Sequence, residues 1–358
     1  MTKLSRYVAS TVAAATAVVL IAFVGLDLIF RIIDEVDNIE RDYTFWKVLI
    51  YEGLRTGARL YEVMPVVGLI GCLTGLGALA NNSELIVLRT AGVSTFRLVW
   101  ISLKPALVFM LIAMLIGEYV APKTEQLAIS YRAFARHQSA IVEVNRGLWL
   151  RDGKDFVYVS VVRPNGTMYG LSVFRFNDDQ TMESILRAER ASFQDTHWLL
   201  ETVDHTIFAN EDGMPVKISQ TTEKLFRWES QLKPHLLSIA SVDPDDLKTT
   251  DLMHYINYLK LQNLNSTEYE IAFWEKLFYP LIMISLVLIG ISFVFGPLRQ
   301  VSMGYRVFCG VLIGILFKTV QDMLGPLSIV FGFSPMLAML APALFCGLLG
   351  LVLIARVR

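Results

Sequence analysis

Six apolar stretches divide the chain, at roughly residues 9–30, 60–80, 98–120, 271–295, 304–324 and 335–355. Each reaches the ~20 residues that an α-helix needs to cross the hydrocarbon core of a bilayer. The pattern predicts six transmembrane helices. The first stretch is too long for the apolar core of a signal peptide, and no small-residue cleavage site follows it, so it reads as a retained helix.

The polar intervals are as informative as the apolar ones. Residues 81–97, "NNSELIVLRTAGVSTFR", lie between the second and third stretches. Asn82 or Ser83 suits a helix N-cap, Glu84 falls in the first turn, Arg89 in the last, and Gly92 follows as a stop. The interval predicts a helix of two or three turns over 83–92 at the membrane surface, exposing Leu85, Ile86 and Leu88. Such a helix can dock into a groove on a soluble partner or dip into lipid headgroups, and the residues alone leave both open.

A long polar interval follows the third stretch. "KTEQLAISYRAFARHQ" has helical character, after which short alternating runs take over. Asp152-Gly153, Pro164-Asn165-Gly166 and Asn177-Asp178-Asp179 mark turns between them, and "ASFQDTHWLLETVDHTIF" supplies two further strands. Closely spaced strands of this kind predict an antiparallel sandwich or jelly roll. After Pro244, "DDLKTTDLMHYINYLKLQNL" returns to helical spacing. The fold class expected is an α-helical membrane protein with six transmembrane helices and an inserted all-β jelly-roll domain. Its divisions are 1–120, including the surface helix 83–92; 121–248, with a β core over about 145–240; and 249–358.

Charge sets the expected orientation. Lys3 and Arg6, Arg89 and Arg97, Arg299 and Arg306, and Arg356 and Arg358 occupy four short segments whose one acidic residue is Glu84. By the positive-inside rule all four are cytoplasmic, so both termini are inside and the β segment is periplasmic. The composition agrees with a membrane protein, at 54% hydrophobic residues and a net charge of −1, and offers no sign of nucleic acid binding.

Candidate chemistry is sparse. Cys72, Cys309 and Cys346 sit in apolar runs, without the spacing of a disulfide framework or metal site. His137, His197, His205, His235 and His254 form no H-E-x-x-H pair, and no serine occupies a G-x-S-x-G elbow. "GILFKT" has Phe317 where a Walker A loop needs glycine before Lys318. No catalytic residue, metal or cofactor is expected in this chain. A transporter built from it draws on an ion gradient or on a partner ATPase. A proton-driven mechanism would want paired intramembrane carboxylates and an internal repeat, and neither is evident. A receptor whose surface helix docks a regulator is a further reading.

Basic residues near the outer ends of the apolar stretches are candidates for binding phosphate, because guanidinium forks match phosphate oxygens. Arg31 directly follows the first stretch, Arg55 and Arg59 precede the second, and Arg132 and Arg136 follow the third. For Arg59 and Arg136, anchoring at the interface is an equal reading. Asp27 and Lys318 lie deeper, in the outer half of the membrane. Intramembrane charges need a partner or water, and the local candidates are Asp27 with Arg31 and Lys318 with Asp322.

"PVVGLIGCLTGLGALANNSELIVLRTAGVS" closely resembles the second helix and coupling helix of the LptF/LptG permeases of lipopolysaccharide export. "GEYVAPKTEQLAISYRA", "GLWLRDGKDFVYV", "FGPLRQVSMGYRV" and "LGPLSIVFGFSP" are similar to further segments of that family in the expected order. The resemblance implies a heterodimer with the LptF permease, a cytoplasmic LptB ATPase dimer holding ATP and magnesium, the single-span partner LptC, and an external β-jelly roll. It implies that Glu84, Leu85, Ile86, Leu88, Arg89 and Gly92 couple to the ATPase. It places Arg31 and Asp34 at a gate helix, with Asp37 and Asn38 where some members have lysines. It makes helices 1 and 5 lateral gates carrying the charges Asp27 and Lys318. The substrate-contacting set expected is then Arg31, Asp34, Arg55, Arg59, Arg132, Arg136 and Lys318, with lipopolysaccharide as substrate. A permease for another lipid or a lipoprotein is the nearest alternative in mechanism.

Overall fold

The computed structural model describes residues 2–37, 43–136, 143–162, 166–177, 179, 181–211, 214–230, 232–240, 242–295 and 301–356. Among them are six helices long and apolar enough to cross a membrane: Lys3–Val36, Phe45–Asn81, Thr95–Arg132, Thr267–Phe295, Met303–Phe331 and Pro335–Arg356. The helices are α1 (Thr2–Val36), α2 (Phe45–Asn81), α3 (Glu84–Thr90), α4 (Thr95–Leu115), α5 (Ala121–Arg136), α6 (Pro234–Ala240), α7 (Thr249–Leu261), α8 (Thr267–Phe295), α9 (Met303–Phe331) and α10 (Pro335–Arg356). Strands β1 (Glu143–Asp152), β2 (Asp155–Val162), β3 (Met168–Phe176), β4 (Met182–Gln194), β5 (His197–Glu211) and β6 (Met214–Trp228) lie between α5 and α6.

The membrane helices outrun their apolar windows. Arg31 and Asp34 lie inside α1 rather than after it, and Arg55 and Arg59 lie inside α2 rather than before it. Helical backbone bonds are satisfied within the segment whatever the side chains, so a helix that leaves the hydrocarbon continues while its polar residues find water or partners. The third span shows the same behaviour: a π-helical turn, Ile116–Val120, joins α4 to α5, which carries Arg132 and Arg136. Pro122 follows at once. Proline has no N–H to return to the preceding turn, so a local widening of the helix before it has a direct cause.

The chain divides into a helical unit and a β unit. In the helical unit α2 is the most enclosed element, with Met64, Val67, Leu69, Leu73 and Leu76 fully buried. Small residues let its neighbours approach closely, as is usual between membrane helices. Gly71 and Gly75 of α2 face Thr16 and Val12 of α1, Gly68 faces Met283 of α8, and Gly290 of α8 faces Leu69. Helices α1 and α9 keep broad apolar faces open, including Ile21, Leu26, Ile29, Phe308, Leu312 and Leu316.

The β unit is one antiparallel sheet whose six strands pair in chain order, β1 to β6. The core of the insert is a β-sheet as expected, but helix α6 (Pro234–Ala240) falls within its expected bounds and adds Leu237 to the core. The strands follow one another as a meander rather than in the crossed order of two Greek keys. Alternate residues point to a shared core: Leu148, Leu150, Val157, Val159, Leu171, Val173, Leu186, Trp198, Leu200 and Val203 are buried together. At the first hairpin Asp152 pairs with Asp155, leaving Gly153 and Lys154 as a two-residue turn. Gly153 has φ +64°, the left-handed conformation that such turns demand. Helix α7 secures this hairpin: the Tyr258 hydroxyl donates to the Arg151 carbonyl at 2.6 Å, and the Gly153 N–H donates to Gln262 Oε1 at 3.1 Å. Burial pushes the Tyr258 pKa up to about 12, so this donor keeps its proton across the physiological range. Pro164, Asn165 and Asp178 of the expected turns lie outside the described residues, as do Asn38, His137, Arg299 and Arg358.

Trp198 is the largest fully buried side chain of the sheet. Its indole N–H donates to the Leu232 carbonyl at 2.7 Å, and its ring meets Phe193 edge-on at 5.2 Å between centroids. Trp198→Phe keeps most of the apolar area but strands that buried carbonyl. It is expected to lower the opening free energy of β5 by about 1–3 kcal/mol, read by hydrogen exchange on the whole solubilised protein. Unaltered protection of β5 would contradict this assignment.

Candidate functional site

The short helix α3 begins three residues after α2 ends. Glu84 opens its first turn and Arg89 closes its last, each complementing the helix dipole. Tyr7 of α1 lies beside the Glu84 carboxylate. The N-terminal cap differs from the sequence expectation. Ser83 occupies the cap position in a left-handed conformation, φ 58°, and its side chain makes no capping bond. Asn82 Nδ2 instead reaches Glu84 Oε1, at 3.4 Å. The C-terminal stop is the expected one: the Gly92 N–H donates to Arg89 O and the Val93 N–H to Leu88 O, with Gly92 at φ +83°. This is the Schellman arrangement, and its accompanying apolar pair is Leu88 with Val93, both buried.

Burial re-sorts the apolar residues of α3. Leu85 and Leu88 are 5% and 6% exposed and belong to the core of the helical unit, so the expectation that they project outward is corrected. Ile86 and Val87 project instead, at 45% and 63% exposed. Helical spacing marks one stripe of a helix as apolar without saying which stripe faces home, and here the i, i+3 pair anchors the helix. Exposed Val87 was missed because Leu85, Ile86 and Leu88 already completed a plausible face.

At the other end of α2 the basic residues fall into two classes. Arg31 and Arg55 are held by buried carboxylates. Arg31 Nε reaches Asp27 at 2.8 Å and its Nη1 reaches Glu52 at 2.7 Å; Arg55 Nε reaches Glu125 at 2.7 Å and its Nη1 lies 3.9 Å from Glu52. Glu52 and Glu125 are almost fully buried. This ladder ties α1, α2 and the start of α5 together. Arg59 and Lys318 form the second class, each more than a third exposed. Arg59 pairs with Glu62 at 2.6 Å. Lys318 Nζ lies 3.1 Å from Asp322, 3.7 Å from Glu275 and 3.8 Å from Glu62, while Gln321 Nε2 donates to Glu275 at 3.0 Å. Beside them the Tyr61 and Tyr279 rings stack at 4.2 Å, and the Tyr279 hydroxyl donates to the Tyr61 carbonyl at 2.8 Å.

The remaining candidates stand apart. Asp34 is exposed on α1 beyond Arg31, and half-buried Arg132 lies one turn before Arg136 on α5, where the Arg136 side chain is outside the description. The local pairs Asp27–Arg31 and Lys318–Asp322 follow from i, i+4 spacing, and both form. The cross-helix pairs Arg31–Glu52, Arg55–Glu125, Lys318–Glu62 and Lys318–Glu275 carried no sequence signal, because the partners lie on different helices. Arg59–Glu62, at i, i+3 within α2, is a local pair that spacing could have found. Among the described residues no group of His, Cys, Asp and Glu is arranged to hold a metal ion.

A bundle of membrane helices carrying a short, firmly stopped helix between two spans and an inserted β-sheet has the anatomy of a transport permease subunit. The family model described as "Lipopolysaccharide export system permease LptF/LptG" matches residues 6–356. The lipopolysaccharide export system permease protein LptG of Escherichia coli K12 is 32% identical over 356 residues, covering 99% of this chain and 98% of that protein. The protein of the same name from Haemophilus influenzae Rd is 31% identical over 345 residues, covering 95% of each chain. The chain therefore belongs to the LptF/LptG family of lipopolysaccharide export system permeases.

The two classes of ion pair should respond differently to mutation. Removing one partner of a buried pair leaves an uncompensated charge, so Glu52→Ala is expected to cost about 3–5 kcal/mol. Arg59→Ala breaks an exposed pair and should cost no more than about 1 kcal/mol. Thermal unfolding in detergent compares the two, and equal losses would contradict the division.

Proposed function

We propose that this chain is one of two permease subunits of an ATP-driven exporter that lifts lipopolysaccharide from the outer leaflet of the inner membrane toward a periplasmic bridge. The observation that carries the reading is α3: a family coupling segment whose Leu85 and Leu88 are rooted in its own core while Ile86 and Val87 stay open. Burying one such aliphatic side chain contributes roughly 1.5–3 kcal/mol, so two of them give a docking groove on a soluble ATPase a real foothold. Glu84 and Arg89 fix the register. An LptB-type ATPase dimer supplies the ATP and magnesium chemistry, an LptF-type permease completes the cavity, and an LptC-type partner continues the external path. The termini and α3 are cytoplasmic and the β unit is periplasmic, in line with the basic residues that flank the helices.

The substrate explains why such a machine is needed. Each acyl methylene withdrawn from an apolar environment costs about 0.8 kcal/mol. A multi-chain lipid therefore needs a continuous greasy path rather than a passage through water. Its phosphates need cations that can be recruited. Arg59 and Lys318 suit that role best, because Glu62 and Asp322 beside them are exposed and exchange readily with another anion. Arg31 and Arg55, locked to buried Glu52 and Glu125, shape the gate instead.

Reconstitution of the chain with its permease and ATPase partners in liposomes tests the reading. ATP-dependent release of lipopolysaccharide is expected, with Glu84→Ala losing ATPase assembly and release together. Arg59→Ala with Lys318→Ala should weaken lipid-stimulated hydrolysis by more than about tenfold, since each substitution removes a charge-assisted contact worth roughly tenfold or more. Assembly without any lipid release would point to another cargo, and an unchanged double variant would remove the phosphate assignment.

A further inference from the structure

Arg306 sits at the start of α9, and as a sequence feature it is one more topogenic positive charge. The structure gives it a different character. Its side chain is fully buried, at 0% exposed, and its Nη1 donates to the Gly77 carbonyl at 2.7 Å and to Asn81 Oδ1 at 2.9 Å. Both acceptors belong to the last turn of α2, the negative end of that helix dipole, where a cation is favoured. Gly77 leaves the space the guanidinium occupies: a Cβ there would lie 2.8 Å from Arg306 Nη1 and 2.9 Å from its Cδ.

The contact is the end of a longer seam. Gly310 and Gly314 follow Arg306 at four-residue intervals on the same face of α9. A Cβ on Gly310 would lie 2.7 Å from Leu73 Cδ1, and one on Gly314 would lie 2.5 Å from Val66 Cγ1. As α9 advances, its contacts retreat along α2 from Gly77 to Leu73 to Val66, and then to Glu62, which faces Lys318. The two helices are thus antiparallel and in close approach, with a charged contact at each end. At the Arg306 end, α3 begins three residues beyond Asn81. There is no slack linker between the helix that docks the ATPase and the turn that Arg306 grips. On its far side α9 exposes Phe308, Leu312, Ile315 and Leu316, an apolar face for lipid or a second membrane subunit.

We propose that Arg306 is a positioning residue for transport. It rivets the end of α2 to the start of α9, so that displacement of α3 by the ATPase carries α9, and the apolar face it presents, along with it. A buried guanidinium is a poor choice if packing alone were required, since an apolar residue of similar volume fills such a site without desolvating a charge. The planar fork is what reaches a backbone carbonyl and a side-chain amide from one residue, which lysine cannot reproduce. The proposal rests on reading α3 as the ATPase-docking helix.

The test uses the complete reconstituted complex and reads the number of ATP molecules hydrolysed per lipopolysaccharide released. Losing a coupling contact typically changes a linked equilibrium by roughly 5–150-fold, so Arg306→Met is expected to raise this ratio about tenfold or more. Arg306→Lys should fall between it and the unaltered chain. Asn81→Leu, at the exposed end of the contact, should raise the ratio more modestly, and Asn81→Asp, which offers Arg306 a carboxylate, should not. If Arg306→Met does not assemble, the two Asn81 variants decide. Hydrolysis and release falling in parallel, with the ratio constant, would mean a purely structural role and overturn the proposal, as would equal ratios for Asn81→Leu and Asn81→Asp. Glu84→Ala serves as the separate control. If it assembles and exports normally, the docking reading has failed; if it is defective while every Arg306 and Asn81 variant keeps the ratio of the unaltered chain, only the rivet has failed.

Discussion

A charge inside a bundle of apolar helices must be met by another polar group or by water, and in this protein α2 is where most of them are met. Glu52 receives Arg31 from α1, Arg55 of α2 reaches Glu125 at the start of α5, Glu62 shares Lys318 with Glu275 and Asp322, and the last turn of α2 receives Arg306. The same helix holds the most deeply buried apolar residues and the glycines that admit α1 and α8. It is also continuous, within three residues, with the short helix α3. Packing and electrostatics therefore share one structural axis, and that axis runs on into α3.

That axis links the family's activity to its geometry. Lipopolysaccharide export moves a cargo with many acyl chains, so the membrane part has to open and close an apolar volume without exposing it to water. Helices α1 and α9 have broad open apolar faces, yet each is tied to α2 by an arginine near one end. In the proposed mechanism a push on α3 is delivered to this enclosed helix and handed on to α1 and α9. The exposed Arg59 and Lys318 pairs can rearrange at little cost, while the buried pairs hold their register.

Much of this was legible in the sequence, and what was hidden has definite physical causes. The six spans follow from hydropathy, since only helices satisfy their own backbone in lipid. The stop of α3 follows from Gly92, and the β1–β2 hairpin from Asp152-Gly153, because both need a left-handed residue at a fixed offset. Helix lengths were underestimated at Arg31, Arg55 and Arg59, since apolar windows end where a side chain becomes polar rather than where the backbone stops coiling. The inward turn of Leu85 and Leu88 was hidden because periodicity defines a stripe without its partner. Glu52 opposite Arg31, Glu125 opposite Arg55 and the Gly77 seat of Arg306 come from other helices, and pairing at that sequence distance leaves no local pattern to read.

The most direct measurement is site-specific photo-crosslinking along α3 in the assembled exporter, with the probe placed in turn at residues 85 to 88. Strong adducts to the ATPase from Ile86 and Val87, with little from Leu85 and Leu88, are the result expected of a helix anchored by one face and docked by the other. Adducts from Ile86 and Val87 to lipid alone would show an interfacial helix, and would contradict α3 as the point where ATP hydrolysis reaches the membrane.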